Sequence, residues 1–92
     1  MRIVIRKYQG KGAKELFDLI DQKKGELQSL MHSISGYVSY TLARTSEGGI
    51  SVTVCQDESG ITESVKRAKE WIAKNAGNTG AGSPEIISGN VI

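Results

Sequence analysis

The side chains of this protein that could do chemistry are few. His32 is the only histidine and Cys55 the only cysteine. No second imidazole, thiol or carboxylate stands at ligand spacing from His32, so no metal site is expected there. Its place at the end of a helical stretch suits a cation that eases the negative end of the helix dipole, and a general base beside a pocket is the functional alternative. Cys55 has no adjacent His or clustered Lys to lower its pKa, which favours a small residue at a subunit contact over a nucleophile. The aromatic residues Phe17, Tyr40 and Trp71 could line a pocket with His32 beside them, although their spacing also suits core packing. The glycine-rich stretch Gly77 to Gly82 could turn N–H groups toward an anion. It lacks the Gly-Lys-Ser/Thr ending of a phosphate loop and follows a helix, so a flexible lid or plain connector is expected.

Bulk properties set the frame for these residues. A chain of 92 residues makes one domain, 1–92, whose single core leaves much apolar surface uncovered, so self-association would help it. The net charge of +2, from 12 Lys plus Arg against 10 acids, gives no general drive toward nucleic acid or anionic membrane. Residues 1–24 hold seven cations, Arg2, Arg6, Lys7, Lys11, Lys14, Lys23 and Lys24, against Glu15, Asp18 and Asp21. Such an excess reads as a solvated face. RNA binding through a sheet needs exposed aromatics on the middle strands, and these offer only Tyr8, so no nucleic-acid partner is expected. The N-terminal charges flank an apolar core too short for a signal peptide, and no run approaches the roughly 20 residues of a membrane span. The expectation is a cytoplasmic protein with no membrane partner and no cofactor.

The periodicity predicts the elements that must position these residues. Met1 to Tyr8 is β-branched, and its consecutive Ile3, Val4 and Ile5 mark a central strand packed on both faces. Ala13, Leu16, Phe17, Ile20, Leu27, Leu30, Met31 and Ile34 then form one helical face. Gly25 within it could mark a bend or a close backbone approach. From Gly36 to Gln56 the period becomes two, with two strands flanking the loop Thr45 to Gly49. Pairing Arg44 with Ile50 sets Val38, Tyr40 and Leu42 on the same side as Ile50, Val52 and Val54, facing the helices. The opposite face then carries Tyr37, Ser39, Thr41, Thr53 and Cys55, small or weakly polar side chains suited to a dimer contact. Asp57 or Ser59 caps a second helix with the stripe Ile61, Val65, Ala68 and Ile72 and with Trp71 on its flank. A mobile connection, Ala76 to Ser83, leads to Pro84 and a last strand, Glu85 to Ile92. The order β-α-β-β-α-β predicts an α+β, ferredoxin-like fold with a four-stranded antiparallel sheet and both helices on one side.

This order, together with Ile34-Ser35-Gly36-Tyr37-Val38-Ser39-Tyr40 entering the second strand and Val54-Cys55-Gln56-Asp57 leaving the third, resembles the antibiotic biosynthesis monooxygenase-like proteins of the dimeric α+β barrel superfamily. The resemblance covers nearly the whole chain. It implies a homodimer with two sheets face to face and a pocket in each subunit between sheet and helices. Some relatives oxygenate aromatic polyketides without metal or flavin, and others bind and degrade haem. Their polar set includes an Asn on the first strand, a Trp near the end of the third and a His on the second helix. Here the first strand has Arg2, Arg6 and Lys7 but no Asn, Cys55 stands in place of the Trp, and the second helix has no His. The catalytic set is not carried over. What the resemblance leaves is binding of a small apolar or aromatic molecule, or a dimeric interaction module without chemistry.

Overall fold

The run Ile3-Val4-Ile5 gives β1 (Arg2–Gln9) two apolar faces, and the strand lies in the interior of the sheet. A computed structural model describes residues 1–92. After β1 come α1 (Ala13–Gln22), α2 (Lys24–His32), β2 (Tyr37–Thr45), β3 (Gly48–Cys55), α3 (Glu58–Asn75), a 3-10 turn at Gly77–Thr79 and β4 (Glu85–Asn90). The strands form one antiparallel sheet in the order β2-β3-β1-β4, the ferredoxin-like α+β arrangement. The main core joins Tyr8 of β1 to Leu16, Phe17, Ile20 and Leu27 of the first two helices and Trp71 of α3.

The predicted first helix is two. Its apolar stripe is buried through Leu16, Phe17, Ile20, Leu27 and Met31, but Lys23 leaves the helical region at φ −116° and ψ 19° and separates α1 from α2. Gly25 is not a close-approach site, since a Cβ there would meet nothing within 4 Å. Asp57 caps α3: its carboxylate accepts the Gly60 N–H at 3.2 Å and the Ser59 hydroxyl at 2.7 Å. These bonds stabilise the ionised form and hold its pKa below the usual carboxylate value, the Ser59 hydroxyl first. The connector after α3 is exposed at Gly77, Asn78, Gly80, Gly82 and Ser83 but is anchored at two points. Ala76 is buried and Ala81 packs on the main core. Gly12, at φ 81°, could not carry a Cβ, which would come within 2.5 Å of the Ala81 nitrogen and the Thr79 oxygen.

The central hairpin differs from the sequence expectation by one residue. Thr45 pairs with Gly48 and Arg44 with Gly49, so only Ser46 and Glu47 form the loop. Leu42 consequently faces Ser51 and Tyr40 faces Thr53. A one-residue slip exchanges the faces of a strand. Ser51, Thr53 and Cys55 turn toward the helices, at 2%, 0% and 0% exposure, while Ile50, Val52 and Val54 turn to the open side. Thr53 and Cys55 are therefore not dimer-face residues. Tyr37 leaves that face too, because an irregularity between Tyr37 and Ser39 shifts the register and the ring packs on Met31, Ile34 and Ala68. The cause of the slip is Phe17. Its ring lies on Gly49, where a Cβ would stand 2.2 Å from a ring carbon, so glycine must occupy the inward position and the two-residue loop follows.

The open face is more apolar than expected. Ile87, Ile5, Val52 and Thr41 form one row across the sheet, and Gly89, Ile3, Val54 and Ser39 the next. Ile87 is 56% exposed.

Candidate functional site

On the helix side of β1, alternation places Val4, Arg6 and Tyr8 inward. Val4 and Tyr8 belong to the core; Arg6 is an unusual neighbour, at 3% exposure. Three of the four arginines pair with carboxylates: Arg2 with Glu58 at 2.6 Å, Arg44 with Asp18 at 2.7 Å, and Arg67 with Glu63 at 2.9 Å. Arg6, the buried one, pairs with none. Its Nε has no hydrogen-bond partner, and neither do the buried Ser51 Oγ and Thr53 Oγ1. Arg6 pairs with Ser51 across the ladder, and Thr53 lies between Val4 and Tyr40, so these orphaned groups are neighbours on the two central strands. An unpaired buried cation is among the costlier features a small domain can carry.

Arg6 lines a cleft of ≈370 Å³ bounded by β1, β4, α3 and the connector. Its wall is mainly apolar, with Tyr8, Val65, Ile72, Ala76, Pro84 and Ile86 prominent. The charged lining residues are Arg6 and Lys69, with no carboxylate among them. Burial raises the pKa of Tyr8 and of Tyr40, and the Arg6 cation beside each ring offsets part of that rise, at Tyr40 also through a hydrogen bond that Arg6 donates to the neutral hydroxyl, which leaves the charge itself without a counter-ion. Both phenols stay protonated at neutral pH and can donate a hydrogen bond.

The residues singled out in the sequence lie elsewhere. Phe17, Tyr40 and the wall at Arg6 and Ser51 enclose a gap of only ≈10 Å³, so the space between sheet and helices there is filled. Phe17 and Tyr40 also line an open groove of ≈440 Å³ at the β2 edge, shared with Asp21, Lys24 and Arg44. Trp71 is in the core, and its Nε1 donates to Glu26 Oε1 at 3.0 Å. His32 stands in the last turn of α2, exposed, with its ring 4.5 Å from that of Tyr37. The structure does not gather these four into one site. Arg6 was legible only as part of a basic excess; the signal that could have found it is its parity with Val4 and Tyr8.

Cys55 is enclosed by Val4, Ile61 and Val65. Burial, and secondarily the negative charge of Asp57, push its thiol pKa up. Labelling by an aromatic disulfide at pH 8 should therefore run at least about 100-fold slower in the folded protein than in denaturant. Equal rates in the two states would show that the thiol is accessible.

No protein-family model matches the chain, and no curated protein matches it. Solved structures do share its fold. A monooxygenase of Streptomyces coelicolor in complex with nanaomycin D is 15% identical, covering 99% of this chain and 89% of that one, with a TM-score of 0.64. The haem-degrader MhuD of Mycobacterium tuberculosis, with two haems bound in its active site, is 14% identical over 100% and 96% at 0.68. A dimeric ferredoxin-like protein from an uncultured marine organism is 13% identical over 99% and 92% at 0.64. A putative antibiotic biosynthesis monooxygenase of Bordetella bronchiseptica, 14% identical with a TM-score of 0.70, shares the same ferredoxin-like fold.

Proposed function

We propose that the protein is a homodimer that binds a small, largely apolar or aromatic molecule in the cleft beside Arg6, as a relative of cofactor-independent monooxygenases. The observation that carries this is the cleft itself, ≈370 Å³ and mainly apolar, set between the sheet, α3 and the connector. Structures of the same fold in complex with nanaomycin D and with haem support it. No reaction is assigned: the Asn, Trp and His that the resemblance implies have no counterpart in kind on β1, at Cys55 or on α3.

Dimerisation is proposed through the open sheet face, with a second copy as the occupant. The rows through Ile5 and Val52 and through Ile3 and Val54 offer an apolar surface that water would otherwise cover. Ser39 and Thr41, in register with Val54 and Val52, are proposed to join this contact. A dimeric ferredoxin-like protein of the same fold supports dimerisation.

A screen of mono- to tricyclic aromatic compounds by thermal unfolding tests the cleft. At tenfold excess over its Kd a ligand stabilises by roughly 1.4 kcal/mol, which raises Tm by about 6 °C or more in a domain of this size. Ala73→Trp, on the outer side of α3 where it lines the cleft, should remove the response while leaving the protein folded. Stable folding with no stabilisation by any compound would favour the interaction-module reading.

A further inference from the structure

Arg6 asks for an explanation that packing does not supply. It is 3% exposed, its Nε has no partner, and it is the one arginine of four that meets no carboxylate of its own chain. A buried guanidinium without a counter-ion is unfavourable, and an apolar side chain of similar length would fill the same position without that cost. The charge is well placed only if something negative joins it. Its surroundings point the same way. The cleft it lines holds Lys69 as a second cation and no acid, and the acidic residue nearest in the β4 ladder, Glu85, pairs opposite Lys7 rather than Arg6.

We propose that the ligand of this cleft is an apolar or aromatic carboxylic acid whose carboxylate is held by the Arg6 guanidinium. This rests on the reading of the cleft as a small-molecule site. A carboxylate is favoured because its planar pair of oxygens matches the guanidinium fork, and because the one buried cation, with Lys69 only at the exposed rim, balances a single negative charge. The apolar wall formed by Ile72, Ala76, Pro84 and Ile86 takes the hydrocarbon body.

Calorimetric titration with matched pairs tests this: 1-naphthoate against 1-naphthamide, and 4-biphenylcarboxylate against its amide, at pH 7 and 0.15 M salt. The wild-type protein should bind each acid at least about tenfold more tightly than its amide, because a buried charge-assisted contact is little screened. Arg6→Met should bring acid and amide to within about twofold while remaining folded by circular dichroism. Equal affinity of acid and amide for the wild-type protein would overturn the carboxylate assignment and leave the cleft reading standing. Failure of every acid and amide to bind would overturn both. The wild-type comparison decides the matter even if Arg6→Met does not fold.

Discussion

Val52→Lys should leave the protein monomeric. Val52 stands in the middle of the open face, between Ile5 on β1 and Thr41 on β2. In a sheet-to-sheet dimer each copy would bury one new ammonium without a counter-charge. An uncompensated buried charge costs about 3–5 kcal/mol, so one of the two alone would weaken the dimer by roughly 150- to 4,000-fold. Sedimentation should show the wild-type species at twice the chain mass of 9.9 kDa and the variant at the chain mass. The substitution lies on the face away from the helices, so the monomer should keep its secondary structure. A variant that remains dimeric with unchanged affinity would place the contact on another surface, and a wild-type monomer would remove the dimer proposal altogether.

Gly49→Val should be among the most destabilising single substitutions in the protein. The position faces inward under Phe17, and the first added carbon alone would stand 2.2–2.6 Å from three ring carbons. The ring cannot retreat easily, since Phe17 also packs on Tyr8 with ring centroids 5.7 Å apart. Overpacking of this kind costs about 3 kcal/mol, or roughly 12–24 °C in Tm for a domain of this size. Phe17→Ala removes the obstacle but leaves a cavity, at about 3–5 kcal/mol by itself. The double variant Gly49→Val with Phe17→Ala should lose less than the sum of the two, because the valine occupies space that the ring vacated. Strict additivity in thermal or urea unfolding would mean that Phe17 does not rest on Gly49, and with that the hairpin register would lose its cause.

The same contact explains what could and could not be read from the sequence. The kind and order of the elements were legible because the helical stripe from Ala13 to Ile34 and the alternation from Tyr37 to Cys55 have clear periods. The break at Lys23 was hidden because Leu27 and Met31 continue the apolar face after it. The face of β3 was misread for a physical reason. An apolar-inside rule turns Ile50, Val52 and Val54 toward the helices, but the inner face of β3 holds Ser51, Thr53 and Cys55, while the apolar residues line the open side. Where both faces of a sheet offer apolar surface, alternation shows that there are two faces and not which is which. Register decides, and here register depends on Phe17 meeting Gly49 across 32 positions of sequence. Arg6 was legible only as part of a basic excess, since a strand expected to pack on both faces did not show that Arg6 shares its buried face with Val4 and Tyr8. The pocket expected around Phe17, Tyr40 and Trp71 is filled by those very side chains, and the space lies instead where the connector Ala76 to Ser83 meets β4.

A backbone amide NMR titration with 1-naphthoate tests that cleft most directly. Binding there should shift the signals of Arg6, Ile72, Ala76, Ala81 and Ile86, saturably and at equal midpoints, and leave those of Leu42 and Arg44 at the opposite groove in place. Shifts confined to the groove at Asp21, Tyr40 and Arg44, or no saturable shift at all, would contradict it.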